Sequence, residues 1–456
     1  MKLTVSILGA GESGVGAALL AKAKGFDVFL SDRGEIADRY CQILKENQIA
    51  FESGKHSVDR ITSGNLVIKS PGIPGNIELI QEIRRQGIPV ISEIEFASRY
   101  TDAKIIAITG TNGKTTTTLL TYHLLKESGF NVGVGGNIGN SFAAMVVEDT
   151  YDYYVLEISS FQLDDIDQFK PYISVLLNIT PDHLDRYEYD LMKYMESKFR
   201  IAMNQNLSDH FIYGGDIDFL KERAAKLEGF TQLLETSVKK HSSNGGWLLD
   251  NKLVFNLPGK EQVEISINEL PLYGKHNQLN ALTASLIALN LGVDKEEIRK
   301  GLKSFKNAPH RMELVGEIDG VQYINDSKAT NVDAVFYALD GLDKNIIWIA
   351  GGVDKGNEYE QIALLVEKKV GHMICLGIDN KALTGFFTDL VSSIDEVTSM
   401  KDAISQAVKV AKAGDVVLLS PAGASFDLFN NYIDRGDQFR DEVKKIATAN
   451  KNKEVR

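Results

Sequence analysis

Residues 104–118 read Lys-Ile-Ile-Ala-Ile-Thr-Gly-Thr-Asn-Gly-Lys-Thr-Thr-Thr-Thr: an apolar β-rich run, a loop of small residues, and a hydroxyl-rich helix start. Small side chains let successive backbone N–H groups close around phosphate oxygens, and the following helix adds its positive end. Gly110, Thr111, Asn112 and Gly113 supply those amides. Lys114 can reach the outer phosphate oxygens, and Thr115, followed by Thr116 and Thr117, offers a hydroxyl to Mg²⁺. Ile108 stands where the GxxxxGK[ST] consensus has its first glycine. Strand, loop and helix together still specify a phosphate loop rather than a plain turn.

Working outward, the same scheme occurs at the N-terminus. An apolar run at 3–8 leads into Gly9-Ala10-Gly11-Glu12-Ser13-Gly14, and Asp32 ends the next strand about 20 residues on. Gly11, Ser13 and Gly14 would face a diphosphate, or the glycines serve only close helix–strand packing; NAD is one ligand this pattern admits. Strands expected at 27–30, 65–69 and 89–91 alternate with helices at 15–24, 36–47 and 77–86, which means a parallel sheet wound on both faces. A second α/β unit runs from about residue 93, with strands at 104–108, 153–158 and 173–178 and helices at 115–128 and 191–203. It includes a polar β-rich insertion at 246–267 that turns at Asp250-Asn251, and a helix opens near Asn277. A third begins near 301, with strands at 322–325, 346–350, 372–376 and 416–419 and a turn-rich segment at 420–425. The expected architecture is α/β in three domains: 1–92 Rossmann-like, 93–300 P-loop ATPase-like, 301–456 Rossmann-like, with hinges near 92 and 300.

The 456 residues carry 50 Lys and Arg against 62 Asp and Glu, a formal charge of −12. That balance argues against nucleic acid or an anionic membrane as partner. With 43% hydrophobic residues each domain can bury a core. Cys41 and Cys375 show no metal or CxxC spacing and read as free thiols. No leader pattern and no apolar stretch of about 18 residues is present, so the cytoplasm is the expected location.

Glu157 ends the apolar run at 153–157 and is either a Mg²⁺ ligand or a capping charge, while Asn178-Ile179-Thr180-Pro181-Asp182-His183 is a polar cluster at another strand end. No Ser–His–Asp set is legible.

GTNGKTTT (110–117), LEISSFQL (156–163), LNITPDHLDRY (177–187), KHNQLNALTA (275–284), PHRME (309–313) and NDSKATN (325–331) together resemble the Mur ligases, in order and in rough spacing across all three domains. Within that family, DSKATN is similar to the D-glutamate-adding members. The resemblance implies an ADP-forming amide ligase that uses ATP and Mg²⁺ to add D-glutamate to UDP-N-acetylmuramoyl-L-alanine, acting as a monomer. It further implies that Lys114 holds phosphates, and that Thr115, Glu157, His183 and a carbamylated Lys198 serve the metal. An ordinary helix-surface lysine is the bland alternative for Lys198, and its position relative to His183 favours the functional role. Asn277 and Asn280, three apart on one helix, would contact adenine or cap the helix; Arg311 and Asp326 would serve the phosphates and ribose. Lys328, Thr330, Lys355, Ser425 and Tyr432 would line the D-glutamate site, Lys355 also reading as a solvated loop charge. Asp32, Arg33, Ser70, Pro71 and Gly72 would join the glycine loop on the UDP diphosphate, with Asn137, Ser159 and Gln162 on the sugar-peptide. The rivals are a sibling or folylpolyglutamate-type ligase, an NAD-dependent oxidoreductase that leaves 110–115 unexplained, and a nucleotide-binding switch.

Overall fold

The computed structural model describes residues 3–240, 243–267, 275–354 and 356–454, the side chains beyond 448 excepted. The chain divides into two compact units, Met1–Leu270 with Leu279–Phe305, and Pro271–Gln278 with Lys306–Arg456. Among the described residues the strands form three sheets, of five and nine strands in the first unit and six in the second.

The five-stranded sheet is parallel throughout, in the order Ala50–Glu52, Asp27–Ser31, Thr4–Leu8, Leu66–Lys69, Val90–Ser92. The order reverses between Thr4–Leu8 and Leu66–Lys69, so a crevice opens at their carboxyl ends, where Gly9 and Ser70 stand. In the nine-stranded sheet Lys104–Thr109 lies between Ile173–Leu176 and Tyr153–Glu157, so the phosphate loop, Glu157 and Asn178 leave the sheet at one edge. Gly245–Leu249 and Lys252–Asn256 pair antiparallel, Leu249 opposite Lys252; Asp250 takes the positive φ of 41° that such a two-residue turn requires.

One apolar core runs beneath both sheets of this unit, from Ile7, Ala17 and Leu20 to Phe142, Tyr154 and Leu156. The helices Glu12–Ala23 and Phe142–Val146 approach so closely that a Cβ on Gly16 would lie 2.1 Å from Ser141 Oγ. Two buried acids brace the same region: Glu93 accepts from Ser141 Oγ and Ala143 N, both at 2.6 Å, and Glu95 from the N–H groups of Asp167, Gln168 and Phe169.

In the second unit the order is Glu313–Ile318, Val321–Asn325, Val416–Ala422, Ile346–Gly351, Val370–Leu376, Ile394–Val397, parallel except for the first pair. The segment 420–425, expected as a turn, instead begins as strand. Val416–Ala422 carries Ser420 and Pro421 inside it, because a register shift opposite Ile349 and Gly351 relieves Pro421 of a ladder bond it could not donate. Both cysteines are free, Cys375 buried.

Candidate active site

The phosphate loop is held from outside by Asn178. Thr111 N donates to its carbonyl (3.0 Å), Asn112 N to its Oδ1 (2.8 Å), and its Nδ2 returns a bond to Asn112 O (3.0 Å). Gly113, at φ 84°, starts the helix Lys114–Glu127 in the left-handed region, which a side chain would resist. Lys114 Nζ lies on the carbonyls of Gly110 and Thr111 (2.8 and 2.9 Å). Thr115 Oγ1 donates to Glu157 Oε2 at 2.6 Å, and Thr117 Oγ1 to Asn280 Oδ1 at 3.1 Å. Asn280 therefore stands against the loop, since a Cβ on Gly113 would meet its Oδ1 at 2.4 Å. Asn277 lies three residues earlier on the same helix, Lys275–Asn290.

Lys198 is 2% exposed and donates to the same Gly110 carbonyl at 3.0 Å, with Tyr194 beneath its ammonium. Burial first, and then the charge of Lys114, lowers its pKa well below the ordinary lysine value. His183 sits at positive φ, 54% of its side chain exposed, its Nε2 3.6 Å from Asp182 Oδ2. Burial lowers its pKa; Asp182 opposes this, while Lys114 and Lys198 add to it. Lys114, Lys198 and His183 thus share one electrostatic neighbourhood.

Glu157, 2% exposed, points one oxygen at Thr115 and the other at Asn137 Nδ2 (2.8 Å). A buried carboxylate beside a hydroxyl at a phosphate loop is a hard-oxygen set that suits Mg²⁺, which is usually completed by phosphates and water. Among the described residues no three His, Cys, Asp or Glu side chains gather tightly enough to hold a metal by themselves.

At the N-terminal loop, a Cβ on Gly14 would fall 1.9 Å from Gly9 O, and one on Gly9 2.5 Å from Ser70 Oγ. Close packing is therefore real here, yet Ser70 Oγ is buried without a hydrogen-bond partner at the crevice. Asp32 accepts from Ala10 N (2.6 Å) and Gly34 N (2.8 Å), fixing the loop, and Arg33 beside it is exposed. Gly11 and Ser13 open the helix Glu12–Ala23. Arg186 donates to the carbonyls of Pro71 and Gly72 (3.3 and 3.4 Å), a contact no motif announced. Ser159 and Gln162 form a capping box on the helix Ser160–Leu163.

In the second unit, Asp326 accepts from Met312 N and Ser420 Oγ, both at 3.1 Å; burial pushes its carboxyl up to about 7, against the pull of Arg311. Lys328 Nζ lies 3.8 Å from the centre of the Tyr432 ring, Thr330 N donates to Lys328 O, and Ser425 is buried. Lys355 lies outside the described residues. Ser393 Oγ, His372 Nδ1 and His372 Nε2, Asp395 Oδ2 do line up (2.6 and 2.7 Å), a Ser–His–Asp chain unseen in the sequence. Gln406 shares the Asp395 carboxylate, and the chain braces the edge strand Ile394–Val397.

A UDP-N-acetylmuramoylalanine-D-glutamate ligase of Christiangramia forsetii is 49% identical over 97% of this chain and 99% of its own. Proteins of that name from Bacteroides fragilis and Salinibacter ruber are 48% and 40% identical over 97% and 95% of the chain, and 99% and 96% of theirs. The chain belongs to the Mur ligase family. Family models agree along its length: the MurD-like N-terminal domain at 3–92, the Mur ligase middle domain at 108–288, and the Mur ligase glutamate ligase domain at 310–423. The Mur ligase fold is shared with the UDP-N-acetylmuramate-alanine ligase of Thermotoga maritima (TM-score 0.62, 20% identity, 98% of this chain and 100% of that one). It is shared also with the MurF ligase of the same organism, solved with ADP (TM-score 0.61, 16% identity, 94% and 99%). In this Mur ligase the residue that motif reading missed most plainly is Arg435. Its signal was an arginine in the apolar stripe Arg435, Phe439, Val443 of the last helix, all three buried.

Proposed function

We propose that this Mur ligase joins D-glutamate to the L-alanyl carboxylate of UDP-N-acetylmuramoyl-L-alanine, with ATP cleaved to ADP and phosphate, as a step of peptidoglycan precursor synthesis. The observation that carries the reading is identity of 47–49% along nearly the whole chain to several ligases of that name, combined with a phosphate loop on whose carbonyls Lys114 lies and whose Thr115 bonds directly to the strand-end acid Glu157. The substrate carboxylate attacks the γ-phosphorus, releasing ADP and leaving an acyl phosphate. The D-glutamate amine then attacks the acyl carbon, and the tetrahedral intermediate expels phosphate while the amine loses its proton. Two anions must meet in the first step, so charge stabilisation and positioning are the main demands.

The loop amides and Lys114 hold the triphosphate. Thr115 and Glu157 would hold Mg²⁺, which supplies charge neutralisation at the phosphates. His183 and Lys198 serve the acceptor side. An amine kept uncharged by burial is the form that adds CO₂, releasing a proton as the N–C bond forms, and the resulting carbamate would be an anion in place of a neutral amine. The glycine loop, Asp32, Arg33 and Ser70–Gly72 take the UDP diphosphate, with Asn137, Ser159 and Gln162 toward the sugar-peptide. Asn277, Asn280, Arg311 and Asp326 serve the nucleotide; Lys328, Thr330, Lys355, Ser425 and Tyr432 take D-glutamate. The domain bounds 1–92, 93–300 and 301–456 divide these duties. We place the enzyme in the cytoplasm as a monomer; among the described residues no helix is long and apolar enough to cross a membrane.

Phosphate release from ATP and Mg²⁺ in the presence of UDP-N-acetylmuramoyl-L-alanine, compared across D-glutamate, L-glutamate, L-alanine, L-lysine and diaminopimelate, tests the reading. Release that depends on D-glutamate alone is expected; dependence on another amino acid overturns the substrate, and silence with all of them overturns the ligase.

A further inference from the structure

The last helix, Tyr432–Glu454, sends Phe439 and Val443 into the core, and one turn earlier Arg435 is buried as deeply, at 1% exposed. A guanidinium carried out of water is costly unless a carboxylate meets it. Among the described residues Arg435 has no ion-pair partner, and its three hydrogen bonds end on neutral oxygens. Nε donates to Ser327 Oγ (3.0 Å), Nη2 to Ser327 O (2.9 Å) and Nη1 to Gly423 O (3.1 Å). The acid that acts on it through space, Asp427, accepts instead from Ile378 N at 3.2 Å. Ser327 Oγ in turn donates to Tyr432 O (2.7 Å), and a Cβ on Gly352 would come within 3.2 Å of Nη1. The fork therefore lies under the carboxyl ends of three adjacent strands and bonds directly to the loops after two of them. One of those loops carries Lys328 and Thr330, the other Ser425.

We infer that Arg435 is the positioning residue of the amino-acid site: its guanidinium fixes the Lys328–Thr330 loop against the Ser425 loop, and its uncompensated charge beneath them favours an α-amino dicarboxylate there. The inference rests on reading those loops as the D-glutamate site. A planar fork delivers both effects, whereas an ammonium keeps the charge and loses the geometry. Burial that lowers the group to about 10 leaves it cationic at working pH.

The test measures KM for D-glutamate, for ATP and for UDP-N-acetylmuramoyl-L-alanine, with kcat, in Arg435→Met and Arg435→Lys, alongside the unfolding temperature of each. Arg435→Met should raise KM for D-glutamate about 30-fold or more and Arg435→Lys about 3- to 10-fold, while the other two KM values stay within about threefold. A purely structural arginine would move all three together, and that result, or an unchanged KM for D-glutamate, overturns the inference. If Arg435→Met does not fold, Arg435→Lys decides alone: a selective rise in KM for D-glutamate sustains the inference, and a uniform or absent change ends it. A wild-type enzyme without D-glutamate-dependent release would instead overturn the substrate reading, so the two failures are distinguishable.

Discussion

Two loops in the first unit are built alike and equipped differently. Gly9–Gly14 and Gly110–Gly113 each leave a parallel strand and open a helix. Around the first, Asp32 takes the Ala10 N–H and Ser70 presents a hydroxyl. Around the second, two lysines, Lys114 and Lys198, converge on a single carbonyl, that of Gly110, and the Thr115–Glu157 pair stands beside them. The shared part, amides at a helix start, suits phosphate; what differs is the cationic charge placed beside it. The backbone plan thus supports the binding proposed in both places, and the side chains are why chemistry is proposed for only one.

The sharpest way to break this comparison is Lys114→Ala. Phosphate release should fall about 10³-fold or more, since the cation acts on charge that develops in transfer. Binding of UDP-N-acetylmuramoyl-L-alanine, followed by calorimetry without ATP, should stay within about twofold. Retained turnover would remove the distinction between the loops.

Packing at the N-terminal loop gives the next largest effect. A methyl on Gly14 has no room against the Gly9 carbonyl, and backbone cannot swing aside as a side chain can. Gly14→Ala should therefore cost about 2–4 kcal/mol in urea unfolding. Nothing lies within 4 Å of a Cβ on Gly11, so Gly11→Ala should unfold like the parent. Equal stability of the two variants would show that the helix is not clamped to the strand.

What could be read from the sequence follows the range of the interaction. Both loops and the apolar parallel strands were legible, because glycine spacing and apolar runs are local signals. The strand Val132–Gly136 was not among those expected: three of its five residues are glycine, and these glycines are required by neighbours distant in sequence, such as the Glu157 carbonyl 2.4 Å from a Cβ on Gly136. Ser159 and Gln162 also bond to each other three residues apart as a capping pair, a local role that the motif reading did not name. Asn137 likewise meets Glu157. For Arg435 the sequence offered only an arginine in an apolar stripe; its partner Ser327 lies 108 residues away, and nothing short of the fold brings them together.

The smallest expected effect separates two acids placed at strand ends. Asp32 is half-buried and accepts two backbone N–H groups; Asp326, in the second unit, is enclosed and accepts one N–H and one hydroxyl. Burial raises the Asp326 carboxyl from 3.8 to about 7. Between those values the folded chain keeps a proton that the unfolded chain has lost, so this group's contribution to stability is full below the lower value and disappears as pH rises through the upper one. Asp326→Asn preserves the shape and cannot titrate. Relative to wild type it should gain about 2–3 kcal/mol between pH 5 and pH 8, read as the unfolding-temperature difference at the two pH values. A wild-type stability that tracks the Asn variant across that range would mean Asp326 is charged in the fold, and the contrast between an enclosed acid and an open one would fall with it.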